Sequence, residues 1–174
     1  SEILRLMADV TLNPSFPENE VKLSKDNTIQ GLEAQRATPS FLADEAKSKI
    51  LWGDHPYGIV SPTKETISSI TSEKLAAYHK QSVIPNNAVL VIVGSVDKAK
   101  ITAEVKALFG GWKKGVIPPI IFPPTPIRTE KTLTIIDRPG SSQSTISMGN
   151  LAIERNSPDY FPMLVLNQVY GGGA

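Results

Sequence analysis

The sequence predicts an α+β fold. We expect the chain to be a fragment that spans the end of one α+β domain and the start of a second one. Three observations support this prediction. Residues 1–82 carry helical apolar patterns that are interrupted by proline and glycine. Residues 88–96 form a continuous β-branched run, which is typical of a central buried strand. Residues 118–126 contain five prolines, and two segments with strand-like alternation follow them.

Three helices are predicted in the first third of the chain. Residues 1–12 place apolar side chains at helical spacing. The members of this apolar face are Ile3, Leu6, Met7 and Val10. Phe16-Pro17-Glu18 starts a second helix, because proline and acidic residues are favoured in a first turn. Ser40 caps a third helix that continues to Leu51, and WGDHPYG at 52–58 is a turn rich in helix breakers.

The middle of the chain continues with a connector, a helix, a strand and another helix. Residues 63–70 are the connector, and Thr71 or Ser72 caps a helix that runs to Gln81. The central strand AVLVIVGSV at 88–96 follows a Pro-Asn-Asn turn. Asp97 then caps a helix over 98–109, which a pair of glycines ends.

A change in composition after residue 111 predicts the domain organisation. Residues 1–111 are assigned to the C-terminal part of a first α+β domain, residues 112–129 to a proline-rich interdomain linker, and residues 130–174 to the start of a second domain. The elements predicted in this second part are strands at 132–137 and 142–150 and a helix at 160–170. Both ends of the sequence lie in helix-like patterns, so we expect a fragment of a longer protein.

Composition narrows the functional classes. The 174 residues carry a formal net charge of +1, with 40% hydrophobic and 20% charged residues. Nothing therefore indicates nucleic-acid binding, and no apolar run is long enough to span a bilayer. The absence of cysteine excludes disulfides and thiolate metal ligands, and it does not decide the compartment. Compartments of either redox environment therefore remain open.

Few residues offer catalytic chemistry. His55 and His79 are the two histidines, and their spacing cannot place two imidazoles on one helix face for zinc. A structural role is favoured for each of them. Asp137-Arg138 with Ser141, Ser142 and Ser144 indicates a turn, because no histidine is placed to activate a serine. Gly171-Gly172-Gly173 follows a helix pattern, whereas a phosphate cradle needs glycines before a helix.

Four stretches together resemble the pitrilysin/insulinase superfamily of zinc metallopeptidases, and the mitochondrial-processing-peptidase-like branch with its bacterial zinc proteases is closest. In chain order they are NPSFPENEVKLSKDNTIQGL at 13–32, LADEAKSKILWGDHPYG at 42–58, ITSEKLAAYHKQSVIPNNAVLVIVGSVD at 70–97 and LVLNQVYGGGA at 164–174. The resemblance implies repeated α+β domains of peptidase type that pair around a peptide-binding chamber. It also implies a zinc site built from an inverted His-x-x-Glu-His helix and a later glutamate.

The resemblance indicates which residues of this chain stand in place of two glutamates of the family. With Phe16-Pro17-Glu18 aligned to the family pattern, Gly31 stands where the family has its zinc glutamate, and Ser24 stands where it has another recurring glutamate. The histidine pair would lie upstream of Ser1. A slip of two residues would bring Glu33 into register, but two residues correspond to about 200° around a helix. We therefore expect no metal-binding, catalytic or cofactor-binding residue in this chain.

These observations predict a non-catalytic subunit or half of a metalloendopeptidase. Its expected partners are a peptide substrate and an active peptidase subunit or domain of the same family, which would hold the zinc. Whether the chain takes part in an enzyme is left open, since alone it is predicted to be inactive. Two alternatives are an active zinc peptidase with a shifted ligand and a structural core subunit without a role in proteolysis.

Overall fold

A computed structural model describes residues 1–172 of the chain, and helices dominate its regular structure. Short 3₁₀ turns lie at Pro56–Gly58 and Pro85–Asn87, and a π-helical turn lies at Gln168–Gly172. The α-helices are α1 Glu2–Leu12, α2 Glu18–Arg36, α3 Pro39–Trp52, α4 Lys64–Ser68, α5 Ser72–Ser82, α6 Lys98–Phe109 and α7 Tyr160–Asn167. No helix of the described part of the chain has the length and apolar character needed to cross a bilayer.

The chain divides into two compact units. Unit 1 contains Ser1–Gln35 and Ser61–Phe122, and unit 2 contains Arg36–Val60 and Pro123–Ala174, of which residues up to 172 are described. The division between Phe122 and Pro123 falls inside the proline-rich stretch, while unit 2 also takes in α3. The domain boundaries at residues 111 and 130 stay a prediction.

Local capping signals explain where several helices begin. The Asp97 carboxylate accepts hydrogen bonds from the N–H groups of Ala99 and Lys100 at 2.9 and 3.0 Å, so the predicted cap of α6 is confirmed. The Thr71 hydroxyl accepts one from the N–H of Lys74 at 3.2 Å and caps α5. Its hydroxyl, followed by the backbone of Glu73, also lowers the pKa of the Glu73 carboxyl.

One predicted connector is a helix. Residues 63–70 contain α4, which begins after Thr63 because the Thr63 hydroxyl accepts a hydrogen bond from the Thr66 N–H at 3.1 Å. Ile67 of this helix is buried. The connector prediction was wrong because an ST-type cap and a single buried apolar residue are enough for five helical residues.

Unit 1 contains the buried apolar residues of the described structure. They are Leu4, Ala8, Leu32, Ile67 and Ile84. Helix α1 packs against α6, and α1 buries Leu4 and Ala8. Its predicted apolar face is exposed instead, with Ile3 81% and Val10 64% accessible. The helical stride was correct, but the contact with α6 selects a neighbouring face.

The three predicted strands are not formed within residues 1–172. Residues 88–96, 132–137 and 142–150 have irregular backbone without strand pairing. A strand needs a second backbone at about 4.8 Å for its hydrogen bonds, and local sequence cannot supply one. The helical part of the α+β prediction is therefore seen, whereas its β part is not confirmed.

Lys25 ties α2 to the segment that follows α4. Its ammonium donates hydrogen bonds to the carbonyl oxygens of Ser68 at 2.7 Å and Ile70 at 2.8 Å. Ser68 is the last residue of α4 and Ile70 follows two residues later, so both carbonyls lie at the end of this helix, where helical partners end. The side chain thus links two segments that are more than 40 residues apart in the sequence.

Replacing Lys25 by methionine is expected to lower the free energy of unfolding by about 1–2 kcal/mol, because two charge-assisted hydrogen bonds are lost and the apolar stem is kept. Lys22→Met, on the exposed side of the same helix, is the control. It should change the free energy of unfolding by less than about 0.5 kcal/mol. Urea denaturation of both variants measures the difference. Equal effects would mean that the bridge contributes nothing to stability.

Candidate functional site

The candidate site lies on α2. The start of this helix is fixed by a residue that precedes it and by residues of its first turn. Phe16 adopts a φ of 45°, and its ring packs edge-on against the imidazole of His79 with centroids 6.0 Å apart. Glu18 and Glu20 then occupy the first turn, where carboxylates complement the positive end of the helix dipole. These contacts fix the direction of α2 at its start, upstream of the residues of the candidate site.

One face of α2 packs into unit 1. Leu32 is buried, and Val21, Lys25 and Ile29 are half-buried. Their spacing of three or four residues places them on one stripe of the helix. The rotation of every other residue of α2 is fixed by this stripe.

A second, polar stripe of α2 is exposed. It consists of Glu20, Ser24, Asn27 and Gly31, again at spacings of three and four residues. A shallow depression lies along the part of this stripe from Glu20 to Asn27, and Leu23 and Thr28 border it. The Thr28 hydroxyl donates to the Ser24 carbonyl at 2.7 Å, so that hydroxyl is directed back to the helix. The positions that the resemblance singled out, Ser24 and Gly31, therefore lie together on one accessible face.

Gly31 is not required by packing in the described structure. A Cβ atom built at this position meets no atom within 4 Å. Glycine in the interior of a helix is unfavourable by roughly 0.8–1.0 kcal/mol relative to alanine. The chain thus carries an unfavourable residue where there is room for a longer side chain, including a carboxylate.

Gly31→Ala is expected to raise the free energy of unfolding by about 0.5–1 kcal/mol, because helix propensity improves and the chain entropy of the unfolded state falls. Gly53→Ala is the matched control, since Gly53 has a φ of 58° and its Cβ would lie 3.0 Å from Cγ of Pro126. The control should lower stability. Thermal and urea denaturation of both variants measure whether their free energies of unfolding change in opposite directions.

Glu33 lies on a different face from Gly31. The two positions are about 200° apart around the regular helix α2. The Glu33 carboxylate is 3.9 Å from the ammonium of Lys64, and both side chains are about two-thirds exposed. A carboxylate in this position has the surroundings of a solvated surface group.

The two histidines have structural contacts in different units. In unit 1, Nε2 of His79 is 2.8 Å from the carbonyl oxygen of Thr11, at the end of α1. In unit 2, Nδ1 of His55 accepts a hydrogen bond from the Tyr57 N–H at 3.2 Å. The rings of His55, Tyr57 and Trp52 form one aromatic cluster. Each imidazole is thus used to hold a turn or a helix end.

The other candidate residues lie in turns. The Ser141 N–H donates to the Arg138 carbonyl at 3.2 Å, and Gly140 has a φ of 83°, as a tight turn requires. Gly171 also has a positive φ, of 130°, whereas Gly173 of the predicted glycine run lies outside the described residues. The hydrogen bond and the positive φ of Gly140 agree with the turn that the sequence predicts around Ser141.

The donor set does not fit a zinc ion. Within residues 1–172, no group of three or more histidine, cysteine, aspartate or glutamate side chains converges as a metal site would require. Gly31 has no side-chain donor atom, and the Ser24 hydroxyl is a poor substitute for a carboxylate. This stripe of α2 therefore lacks a carboxylate at both positions that the resemblance singled out, and the absence of a metal ligand in this chain stays a prediction.

Unit 2 contains a concave depression with a volume of about 1030 Å³, which the sequence did not predict. It lies between the half-buried apolar side of α3 and the extended residues 126–151. Lys47 donates to the Ser147 hydroxyl at 2.7 Å, and Arg128 donates to the Ile50 carbonyl at 2.9 Å. These long-range polar contacts attach the extended residues to α3, and no local pattern could have revealed them.

Comparison with known proteins gives consistent matches. Residues 69–174 match a family model described as the Peptidase M16 inactive domain. The uncharacterized zinc protease YmxG of Bacillus subtilis is 25% identical over 171 residues, which are 97% of this chain and 40% of that protein. The uncharacterized zinc protease ML0855 of Mycobacterium leprae is 30% identical over 106 residues, which are 60% of this chain and 24% of that protein. The uncharacterized zinc protease SCO5738 of Streptomyces coelicolor is 22% identical over 97% of this chain and 38% of its own length. The chain thus spans at most about two-fifths of the length of these relatives.

Proposed function

The chain belongs to the peptidase M16 family, and on that premise we propose that it takes part in proteolysis as a non-catalytic half or subunit that closes a peptide-binding chamber. The observation that carries this proposal is the exposed stripe of α2. At the position of the expected zinc glutamate, this stripe has Gly31, with open space around it. At the second expected glutamate it has Ser24.

The chemistry of a zinc peptidase explains why this change matters. Such a site needs three protein ligands and one open position for water, which the metal makes acidic enough to act as the nucleophile. Loss of one carboxylate ligand leaves at most two histidines from elsewhere in the polypeptide. A site with two protein ligands holds zinc weakly, so the catalytic metal is assigned to a partner subunit or domain of the same family.

The open stripe also suits the proposed role in the chamber. Its residues are uncharged apart from Glu20, and in the described structure they are accessible along three turns of a rigid helix. A chamber wall needs such a surface, because the substrate has to lie along it without being cut by it. That the chain acts on a peptide substrate together with an active partner is likewise part of the proposal.

Zinc content provides the direct test. The complete polypeptide, purified alone, is expected to hold well under one zinc ion per chain by elemental analysis, whereas the copurifying partner should hold about one. Peptidase activity should appear only when the two are mixed. About one zinc per isolated chain would overturn the proposal and favour the active enzyme with a shifted ligand.

Glu33→Gln is the matched variant for that experiment. If Glu33 is a surface carboxylate beside Lys64, the substitution leaves zinc content and the activity of the mixture unchanged. If Glu33 is the shifted ligand, the same substitution removes both zinc and activity. Absence of zinc and of activity in every combination would instead favour the structural subunit.

A further inference from the structure

The backbone of Gly115 is held by one side chain from another segment of unit 1. The Gly115 N–H donates to Oδ1 of Asn86 at 3.1 Å, and Nδ2 of Asn86 donates to the Gly115 carbonyl at 2.9 Å. A side-chain amide offers one acceptor and a donor group, as a peptide unit does. Asn86 therefore satisfies both backbone groups of Gly115 at once.

A tight turn presents the Asn86 side chain. Asn86 is the middle residue of the 3₁₀ turn Pro85–Asn87. The Asn87 N–H donates to the Ile84 carbonyl at 2.9 Å, and Nδ2 of Asn87 donates to the carbonyl of Ser82, the last residue of α5, at 3.0 Å. These two bonds tie the turn to the end of a helix, so the position from which Asn86 reaches Gly115 is fixed.

Gly115 lies directly against Ile84, which is one of the buried residues of unit 1. Ile84 is 6% exposed. A Cβ atom built on residue 115 would lie 3.1 Å from Cγ2 and 3.2 Å from Cδ1 of Ile84. Both distances are shorter than an ordinary van der Waals contact. The backbone at Gly115 is therefore part of the cover of Ile84, and a side chain there would push it away.

The residues on both sides of Gly115 are open to solvent. Residues 113–117 are all exposed and belong to no helix or strand. Within the described part of the chain, these five residues make no hydrogen bond from backbone to backbone. A segment with few backbone hydrogen bonds and little buried surface opens locally at a low cost in free energy.

We propose that residues 113–117 form a strap that opens and closes over Ile84 as a local unit, that Asn86 is its latch, and that opening exposes a cleavage site for proteases that cut after lysine. The peptide bonds that follow Lys113 and Lys114 lie beside Gly115. Hydrolysis of either bond consumes one water molecule, and it leaves a carboxylate on the lysine and an amine on the next residue.

The latch explains why cleavage has to wait for opening. An extended peptide is recognised largely through hydrogen bonds to its backbone. In the closed strap, the N–H and the carbonyl of Gly115 are both occupied by Asn86. A protease that binds around Lys113 or Lys114 competes for these same groups. The strap is a device of unit 1, and its behaviour is independent of whether α2 contributes to zinc binding.

Limited proteolysis of the complete polypeptide with trypsin, followed by mass spectrometry, provides the test. Asn86→Ala removes both latch bonds and is expected to accelerate cleavage after Lys113 and Lys114 about tenfold. Cleavage after Lys106, inside α6, reports wider unfolding of unit 1 and should keep its original rate. Acceleration at all three lysines alike, or at none of them, would overturn the proposal.

Gly115→Ala tests the contact with Ile84 and leaves the latch residue intact. The added Cβ displaces the strap, so cleavage after Lys113 and Lys114 should again be about tenfold faster. Gly111→Ala is the matched control, because a Cβ there meets no atom within 4 Å in the described structure, and it should change the rate by less than about twofold. Synthetic peptides of residues 109–120 with the same substitutions give the intrinsic cleavage rates for comparison. An unchanged rate in Gly115→Ala, or an equal acceleration in Gly111→Ala, would contradict a strap closed over Ile84.

Discussion

Gly58→Ala is expected to lower the free energy of unfolding by about 2–3 kcal/mol, because the turn at residues 52–58 has no room for a side chain at this position. A Cβ atom there would lie 2.5 Å from the carbonyl oxygen of Gly53 and 3.5 Å from Cβ of Trp52. The obstructing atom belongs to the backbone, so no change of rotamer can relieve the contact.

The surrounding hydrogen bonds prevent the backbone from moving away. The Gly53 N–H donates to the Lys49 carbonyl at 2.9 Å, and the Gly58 N–H donates to the His55 carbonyl at 2.8 Å. Gly53 itself has a left-handed φ of 58°, which ends α3 and directs the chain into the turn. Accommodating alanine at residue 58 would therefore break one of these bonds or shift the end of α3.

Gly149→Ala is the matched control for this prediction, because it lies in the same unit and its Cβ would meet Lys47 and Leu51 at 3.9 and 4.0 Å. Those distances are ordinary van der Waals contacts, so the control should change stability by less than about 0.5 kcal/mol. Urea denaturation followed by tryptophan fluorescence suits the experiment, since Trp52 lies in the turn. Similar stabilities of the two variants would show that the turn relaxes easily.

The elements that were predicted correctly are those with local causes. Asp97 and Thr71 cap their helices through hydrogen bonds to residues two or three positions away, which the sequence shows directly. The strand prediction at 88–96 depends on a partner backbone that no local pattern contains. The same limit applies to α1, whose helical stride was predictable and whose buried face depends on α6.

The candidate site was predictable to a similar extent. The sequence and its resemblance placed Gly31 and Ser24 at the expected glutamate positions. The structure adds that both lie on one exposed stripe, that Gly31 has open space around it, and that Glu33 is on another face beside Lys64. Side-chain surroundings of this kind depend on how α2 is rotated in unit 1, and Leu32 and its neighbours on the buried stripe fix that rotation.

Leu32→Ala is therefore expected to lower the free energy of unfolding by about 2–4 kcal/mol, whereas Gly31→Glu, one residue earlier, should leave it unchanged or raise it by up to about 1 kcal/mol. Leu32 is 7% exposed, so truncation removes apolar contacts and leaves a cavity. Gly31 faces open space, so a glutamate there meets no steric obstacle and gains helix propensity.

The pair tests the rotation of α2 in the complete polypeptide, where additional chain could cover the polar stripe. Stability of both variants should be measured by urea denaturation on that protein, with Leu32→Met as the volume-conserving control that costs less than about 1.5 kcal/mol. If Gly31→Glu is as destabilising as Leu32→Ala, the stripe is packed in the complete protein and cannot line a chamber. If Gly31→Glu is tolerated, the missing carboxylate is not explained by a lack of space, and the glycine is compatible with a site that has lost its need for zinc.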